Sequence, residues 1–227
     1  SVQFCTVLFM FENSALKLDL TLIMNNSFLL ILAYVVAIVL GTGLINFINF
    51  MDGIDCLVAS TLFISIFFIG LFESNITIMI LSGCILGFIP WNFSPAKVFM
   101  GDTGSTFLGA YYTSLCYSSD YINAIYLLLI IFPILIDPLL TLLLRFKDKQ
   151  NIFHAHNLHL YQRLYKGGLK HFQVISIYFI MILVNCIFYN FLNNLWLLIS
   201  NTIWTLLGIY LNNKFASPFK KKKLINC

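Results

Sequence analysis

S-F-L-L-I-L-A-Y-V-V-A-I-V-L-G-T-G-L-I, residues Ser27 to Ile45, contains no charged side chain. At 1.5 Å per residue, a helix of this length nearly matches the roughly 30 Å hydrocarbon core of a bilayer. The rest of the chain has the same character. Its 227 residues are 60% hydrophobic and 10% charged, against roughly 25% charged in an average soluble domain. That balance excludes a water-soluble globule and predicts an all-α, polytopic membrane bundle.

Outward from Ser27, apolar segments recur between short polar breaks: Cys56 to Phe72, Ile76 to Pro90, Thr106 to Tyr117, Tyr121 to Leu144, Gln173 to Leu192 and Leu195 to Leu211. With Ser27 to Ile45 they predict about seven full spans in a single membrane domain over residues 1–227. The opening run S-V-Q-F-C-T-V-L-F-M-F, residues 1–11, is short of the about 20 residues a span needs. It also lacks the basic start of a signal peptide. It is read as the end of a span whose beginning, with other early spans, precedes Ser1. The six cysteines include no C-x-x-C pair, which argues against a zinc knuckle or a disulfide framework.

Eleven of the thirteen Lys and Arg residues fall in two places. One is the basic, His-containing loop 145–172 (Arg145, Lys147, Lys149, Arg163, Lys166, Lys170). The other is the tail 213–227 (Lys214, Lys220, Lys221, Lys222, Lys223). The positive-inside rule makes both cytoplasmic. Counting spans in pairs then puts Asn46 to Asp55 and the loop holding Asp102 on the same face. Glu12, Lys17, Asp19, Glu73 and Asp120 fall on the other.

Three segments on that face carry polar chemistry. In N-F-I-N-F-M-D-G-I-D, Asn46, Asn49 and Asp52 share one side of a helix, and Asp55 continues the row if the helix does. The plainer alternative is a polar helix end with an Asp-Gly turn. In P-A-K-V-F-M-G-D-T-G-S, Pro95 to Ser105, Asp102 lies between two glycines at the start of a span. It is either a helix N-cap or an oxygen ligand for a divalent metal holding a pyrophosphate. In H-A-H-N-L-H-L-Y-Q-R-L, His156, His159 and Arg163 share a face if the segment is helical, as a wall for phosphate oxygens. A solvated basic loop is the alternative. Zinc is disfavoured, because no acidic or thiolate ligand completes a tetrahedral set. Asp137, in F-P-I-L-I-D-P-L-L-T, lies inside a span and is expected to organise a kink there beside Pro133 and Pro138.

Together the three segments resemble the polyprenyl-phosphate N-acetylhexosamine-1-phosphate transferases, the membrane family of glycosyltransferase family 4 that includes the phospho-MurNAc-pentapeptide transferase. The resemblance rests on N-x-x-N-x-x-D-G-x-D at Asn46 to Asp55, N-x-x-P-A-x-x-F-M-G-D-x-G-S at Asn92 to Ser105, and H-x-x-H-x-Y-Q-R-L at His156 to Leu164. It covers roughly residues 40 to 165. The third motif looks more like the branch that initiates O-antigen and related surface glycans.

The resemblance implies transfer of a sugar 1-phosphate from a UDP-sugar to polyprenyl phosphate, with release of UMP, at the cytoplasmic face of a bacterial inner membrane. It implies Mg2+, with Mn2+ as an alternative, held by Asp102 and Asn49. Asp102, His156 and His159 would be catalytic, and Asn46, Asp52, Asp55, Asn92 and Arg163 would bind substrate. The implied partners are the UDP-sugar, polyprenyl phosphate, the bilayer and a second copy in a homodimer, and no nucleic acid. Two departures stand out: Cys56 replaces a usual glycine, and the family's upstream Asp-Asp pair has no match here. A non-catalytic scaffold of the family, or a transporter, are the alternatives. Paired halves would favour a transporter, and none is visible.

Overall fold

The computed structural model describes residues 2–151, 154, 156–192 and 194–219. The described residues form eleven helices and no strand: α1 (Val2–Glu12), α2 (Ala15–Ile23), α3 (Ser27–Phe50), α4 (Leu57–Phe72), α5 (Ile76–Asn92), α6 (Gly101–Ser118), α7 (Tyr121–Ile130), α8 (Phe132–Lys147), α9 (Leu160–Lys166), α10 (His171–Phe191) and α11 (Asn194–Lys214). The all-α expectation holds. The span pattern differs from the expected seven. Only α3, α10 and α11 are long and apolar enough to cross a membrane, with the bent pair α7–α8 as a fourth. At 16 and 17 residues, α4 and α5 are about 24–26 Å long, short of a typical hydrocarbon core. The tail lysines at 220–223 lie outside the described residues.

At the centre stands α4, buried on all sides. Leu57, Leu62, Ile66 and Ile69 are among the fully buried side chains, as a helix apolar all round should be. It packs against α5 and α10, while α3 packs against α6. The outer side of α3 leaves Phe28, Ile31, Leu32, Val35, Val39 and Leu40 exposed, an apolar face suited to lipid.

The α3–α6 crossing is close because of Gly109. A Cβ there would lie 3.0 Å from Ile45 Cα and 3.2 Å from Ile45 O. This contact fixes the register in which the end of α3 and the start of α6 meet.

The predicted span at Tyr121–Leu144 is two helices bent by 79° at Ile131. Pro133 has no N–H to offer the carbonyl of Leu129, four residues earlier. Asn185 of α10 donates instead to the carbonyls of Leu129 and Ile130, at 3.1 Å each, and Asn201 of α11 donates to Leu129 O at 3.0 Å. The two carboxamides are joined at 3.0 Å. These asparagines, not Asp137, supply the polar partners that the break requires.

The other end of the bundle gathers Asp19, whose carboxylate accepts from Tyr121 N, and Asp120, which caps α7 through Asn123 N.

Candidate functional site

The helix α3 stops at Phe50, and residues 51–56 turn back into α4. The expected four-residue polar row is therefore cut short. Asn46 spends its amide on Thr42 O at 2.8 Å. Asn49, one turn further, reaches across to α6, where its Nδ2 donates to Ser105 Oγ at 2.8 Å and to Asp102 Oδ1 at 3.3 Å. Asp55 leaves the row and accepts from Ala96 N at 3.1 Å, tying the turn to the loop before α6.

Asp102 does not cap α6. The cap position is Met100, which has no side-chain acceptor to offer, and Gly101 follows with φ of +65°. Asp102 lies exposed in the first turn, so carboxylate and uncapped helix N-terminus occur together. Such an end attracts anions.

Asp52, in the turn, is half-buried. Burial first, then the charges of Asp102 and Asp55, push its carboxyl up to about 7. Both neighbouring carboxylates are thus close enough to oppose the ionisation of Asp52. Gly53 makes the turn's approach to α9 feasible, since a Cβ there would meet Tyr161 Oη at 2.1 Å. The Tyr161 hydroxyl donates to Phe50 O at 2.9 Å. All three sequence segments therefore converge, and Tyr161 is the joint that residue spacing did not single out.

The third segment differs from the helical row expected for it. Helix α9 begins at Leu160 with His159 at its cap position, and His156 precedes it outside any helix. The two imidazoles meet ring to ring at 4.8 Å, and His159 stacks on Phe50 and Tyr161. Burial, then neighbouring His159 and Arg145, lower His156 to about 4, while burial and Arg145 lower His159 to about 4. Both are neutral at pH 7, so the wall offers hydrogen bonds and not fixed positive charge. Buried Arg145, at the end of α8, donates to the carbonyls of Asn151 and His154 and holds the loop.

Two of the residues expected to bind substrate are engaged within the protein. Asn92 is 2% exposed; its Oδ1 accepts from Cys56 N at 2.9 Å and its Nδ2 donates to Val98 O at 2.9 Å. With both ends of the carboxamide used, it staples the two loops. Arg163 is buried, donates to Ser217 O at 2.8 Å and sits over the Phe219 ring. Sequence spacing gave no sign of the 215–219 segment as its partner.

Cys56 adopts φ of +63°, the left-handed region in which a Cβ costs about 1–2 kcal/mol. That explains why glycine suits this position. Cys56→Gly is expected to leave the thermal midpoint unchanged or higher, because relieved strain offsets the lost thiol packing. Cys56→Val should cost about 2 kcal/mol or more. Scanning fluorimetry in detergent checks both.

Acidification should loosen this region. With its folded pKa below the ordinary 6.5, His159 contributes stability that is fully present above pH 6.5 and lost as pH falls towards 4. The contribution is on the order of 3 kcal/mol. Amide exchange over 156–166, corrected for intrinsic rates, is expected to accelerate across that window and to do so less steeply in His159→Gln, where His156 still titrates.

No three His, Cys, Asp or Glu side chains among the described residues are arranged as a metal cage. A hard cation such as Mg2+ does not need one, since it takes one or two carboxylates and completes its shell with water and phosphate oxygens. The acids around Asp102, with oxygen donors alongside, fit that type of site better than they fit zinc.

Comparison with known proteins gives the family. Residues 1–120 match the family model described as glycosyl transferase family 4, which spans the α3 end and the α6 start. A Bacillus subtilis (strain 168) protein named a probable undecaprenyl-phosphate N-acetylglucosaminyl 1-phosphate transferase is 34% identical over 66% of this chain and 45% of its own length. The decaprenyl-phosphate N-acetylglucosaminephosphotransferase of Mycobacterium leprae (strain TN) is 29% identical over 70% of this chain and 46% of its own. A phospho-N-acetylmuramoyl-pentapeptide-transferase of Prochlorococcus marinus (strain MIT 9301) is 34% identical over 57% and 38%. The chain thus matches less than half the length of each of these relatives.

Proposed function

The chain belongs to glycosyl transferase family 4, and from that premise we propose that it transfers a sugar 1-phosphate from a UDP-sugar to polyprenyl phosphate. An oxygen of the lipid phosphate attacks the phosphorus attached to the sugar, the diphosphate bond breaks, and UMP leaves. The product is a polyprenyl diphosphate-linked sugar that initiates a surface glycan. Relatives named for N-acetylglucosamine support an N-acetylhexosamine donor.

The observation that carries the proposal is the bridge from Asn49 to Asp102 and Ser105. It joins a carboxylate, a helix N-terminus without a side-chain cap and the acid Asp52 in one place. Asp102 would hold Mg2+, with the Asn49 carboxamide oxygen as the second ligand once the amide, which here donates to Asp102 and Ser105, turns over. The bound ion would neutralise charge on the two reacting phosphates. The helix α6 N-terminus orients phosphate oxygens, and Asp52, its carboxyl pushed to about 7, holds or releases a proton beside them. His156 and His159, neutral before substrate arrives, supply polar hydrogen bonds next to an aromatic wall. The basic loop and tail support a cytoplasmic site, at which an anionic lipid head would be attracted.

The test incubates membranes carrying the intact gene product with undecaprenyl phosphate, Mg2+ and a panel of UDP-N-acetylhexosamines. One donor is expected to give UMP and lipid-linked sugar in equal amounts. No product with any donor would overturn the proposal and favour a scaffold.

A further inference from the structure

Asp137 on α8 is 4% exposed and takes no part in the site described above. Its Oδ1 accepts from Leu160 N at 2.7 Å and Thr141 Oγ1 at 3.4 Å, and its Oδ2 from Tyr161 N at 3.0 Å and Tyr178 Oη at 2.8 Å. The carboxylate thereby joins α8, α9 and α10 and satisfies two of the free N–H groups that open α9. One more polar atom faces it. His159 Nδ1 lies 3.8 Å from Asp137 Oδ1, with both side chains almost wholly buried, and this nitrogen has no hydrogen-bond partner.

A buried ring nitrogen without a partner is unfavourable, and less than an ångström separates this one from a hydrogen bond to a carboxylate. Stacking on Phe50 and Tyr161 limits the ring's freedom to turn elsewhere. The other charged or titratable groups around it are Arg145 on α8, His156 in the loop, Tyr161 on α9 and Tyr178 on α10. None of them is an acceptor for Nδ1 in this structure.

We propose that Asp137 is a positioning residue that holds His159 in the Nδ1–H tautomer, leaving Nε2 as the nitrogen available to an anionic phosphate substrate. A carboxylate behind an imidazole fixes tautomer and orientation in this way. When the diphosphate arrives, Nε2 takes a proton from solvent and donates it as an N–H to a phosphate oxygen, while Asp137 balances the imidazolium charge. The catalytic half of this inference rests on the transferase function proposed above.

Two measurements test it. In nanodiscs, 15N-histidine NMR of the wild type, with the His159 signals assigned by their loss in His159→Gln, is expected to show the Nδ1–H tautomer. In a double-mutant cycle, Asp137→Asn should lower turnover about 10- to 100-fold in the wild-type background and less than about threefold in His159→Gln. An Nε2–H tautomer in the wild type, or an equal cost of Asp137→Asn in both backgrounds, would overturn the proposal. If the wild type turned over no donor, the transferase function would fall, and the NMR spectrum would still decide the tautomer.

Discussion

Asp102→Asn is expected to remove Mg2+-dependent UMP release by about a thousandfold or more while leaving the fold intact. The large effect follows from Asp102 lying where Asn49, Ser105 and the α6 N-terminus meet. The small structural effect follows from its exposure and from its not capping α6, so loss of its charge should move stability by no more than about 0.5 kcal/mol. Turnover measured beside the thermal midpoint separates the two. Activity within tenfold of wild type would remove Asp102 from the metal site.

Gly109→Val should be the most disruptive single change at the α3–α6 crossing. The new side chain would press on the backbone of Ile45, which, unlike a flexible side chain, has nowhere to move. Overpacking of this kind costs about 1–3 kcal/mol, occasionally more. The effect also reaches the site. Asn49 lies one turn beyond Ile45, and Ser105 one turn before Gly109, so splaying the crossing separates that pair directly. A displacement near 1 Å at a positioning contact is worth about a hundredfold in rate. Turnover should therefore fall by about that factor even at temperatures where the variant remains folded. A variant that loses stability but keeps full turnover would show that the crossing does not set the Asn49–Asp102 geometry.

The helical membrane architecture was legible because a bilayer demands long uncharged stretches, and Ser27 to Ile45 meets that demand without help from packing. The convergence of three polar segments was also legible, from the sidedness of the lysines and arginines. What spacing could not supply was where helices stop. The row from Asn46 continues to Asp55 only if the helix does, and α3 ends at Phe50, where the turn docks on Tyr161. Likewise His156, His159 and Arg163 were placed on one face by counting, yet Asp137 starts α9 only at Leu160. Arg163 is turned towards Ser217 by a contact 54 residues away, which no local pattern encodes. Asp137 stands out in the sequence as an acid inside a span, but apart from Thr141 on its own helix its partners lie on α9 and α10. The break it was expected to organise is held by Asn185 and Asn201.

The most direct measurement of the central claim, that the end of α3 and the start of α6 form one divalent-cation site for a diphosphate substrate, is Mn2+ electron paramagnetic resonance. Protein in nanodiscs would be titrated with Mn2+ in the presence of UDP. Binding of one Mn2+ per chain is expected in the wild type, together with its loss in Asp102→Asn and its weakening in Asn49→Ala. Equal binding by the wild type and Asp102→Asn would contradict the account.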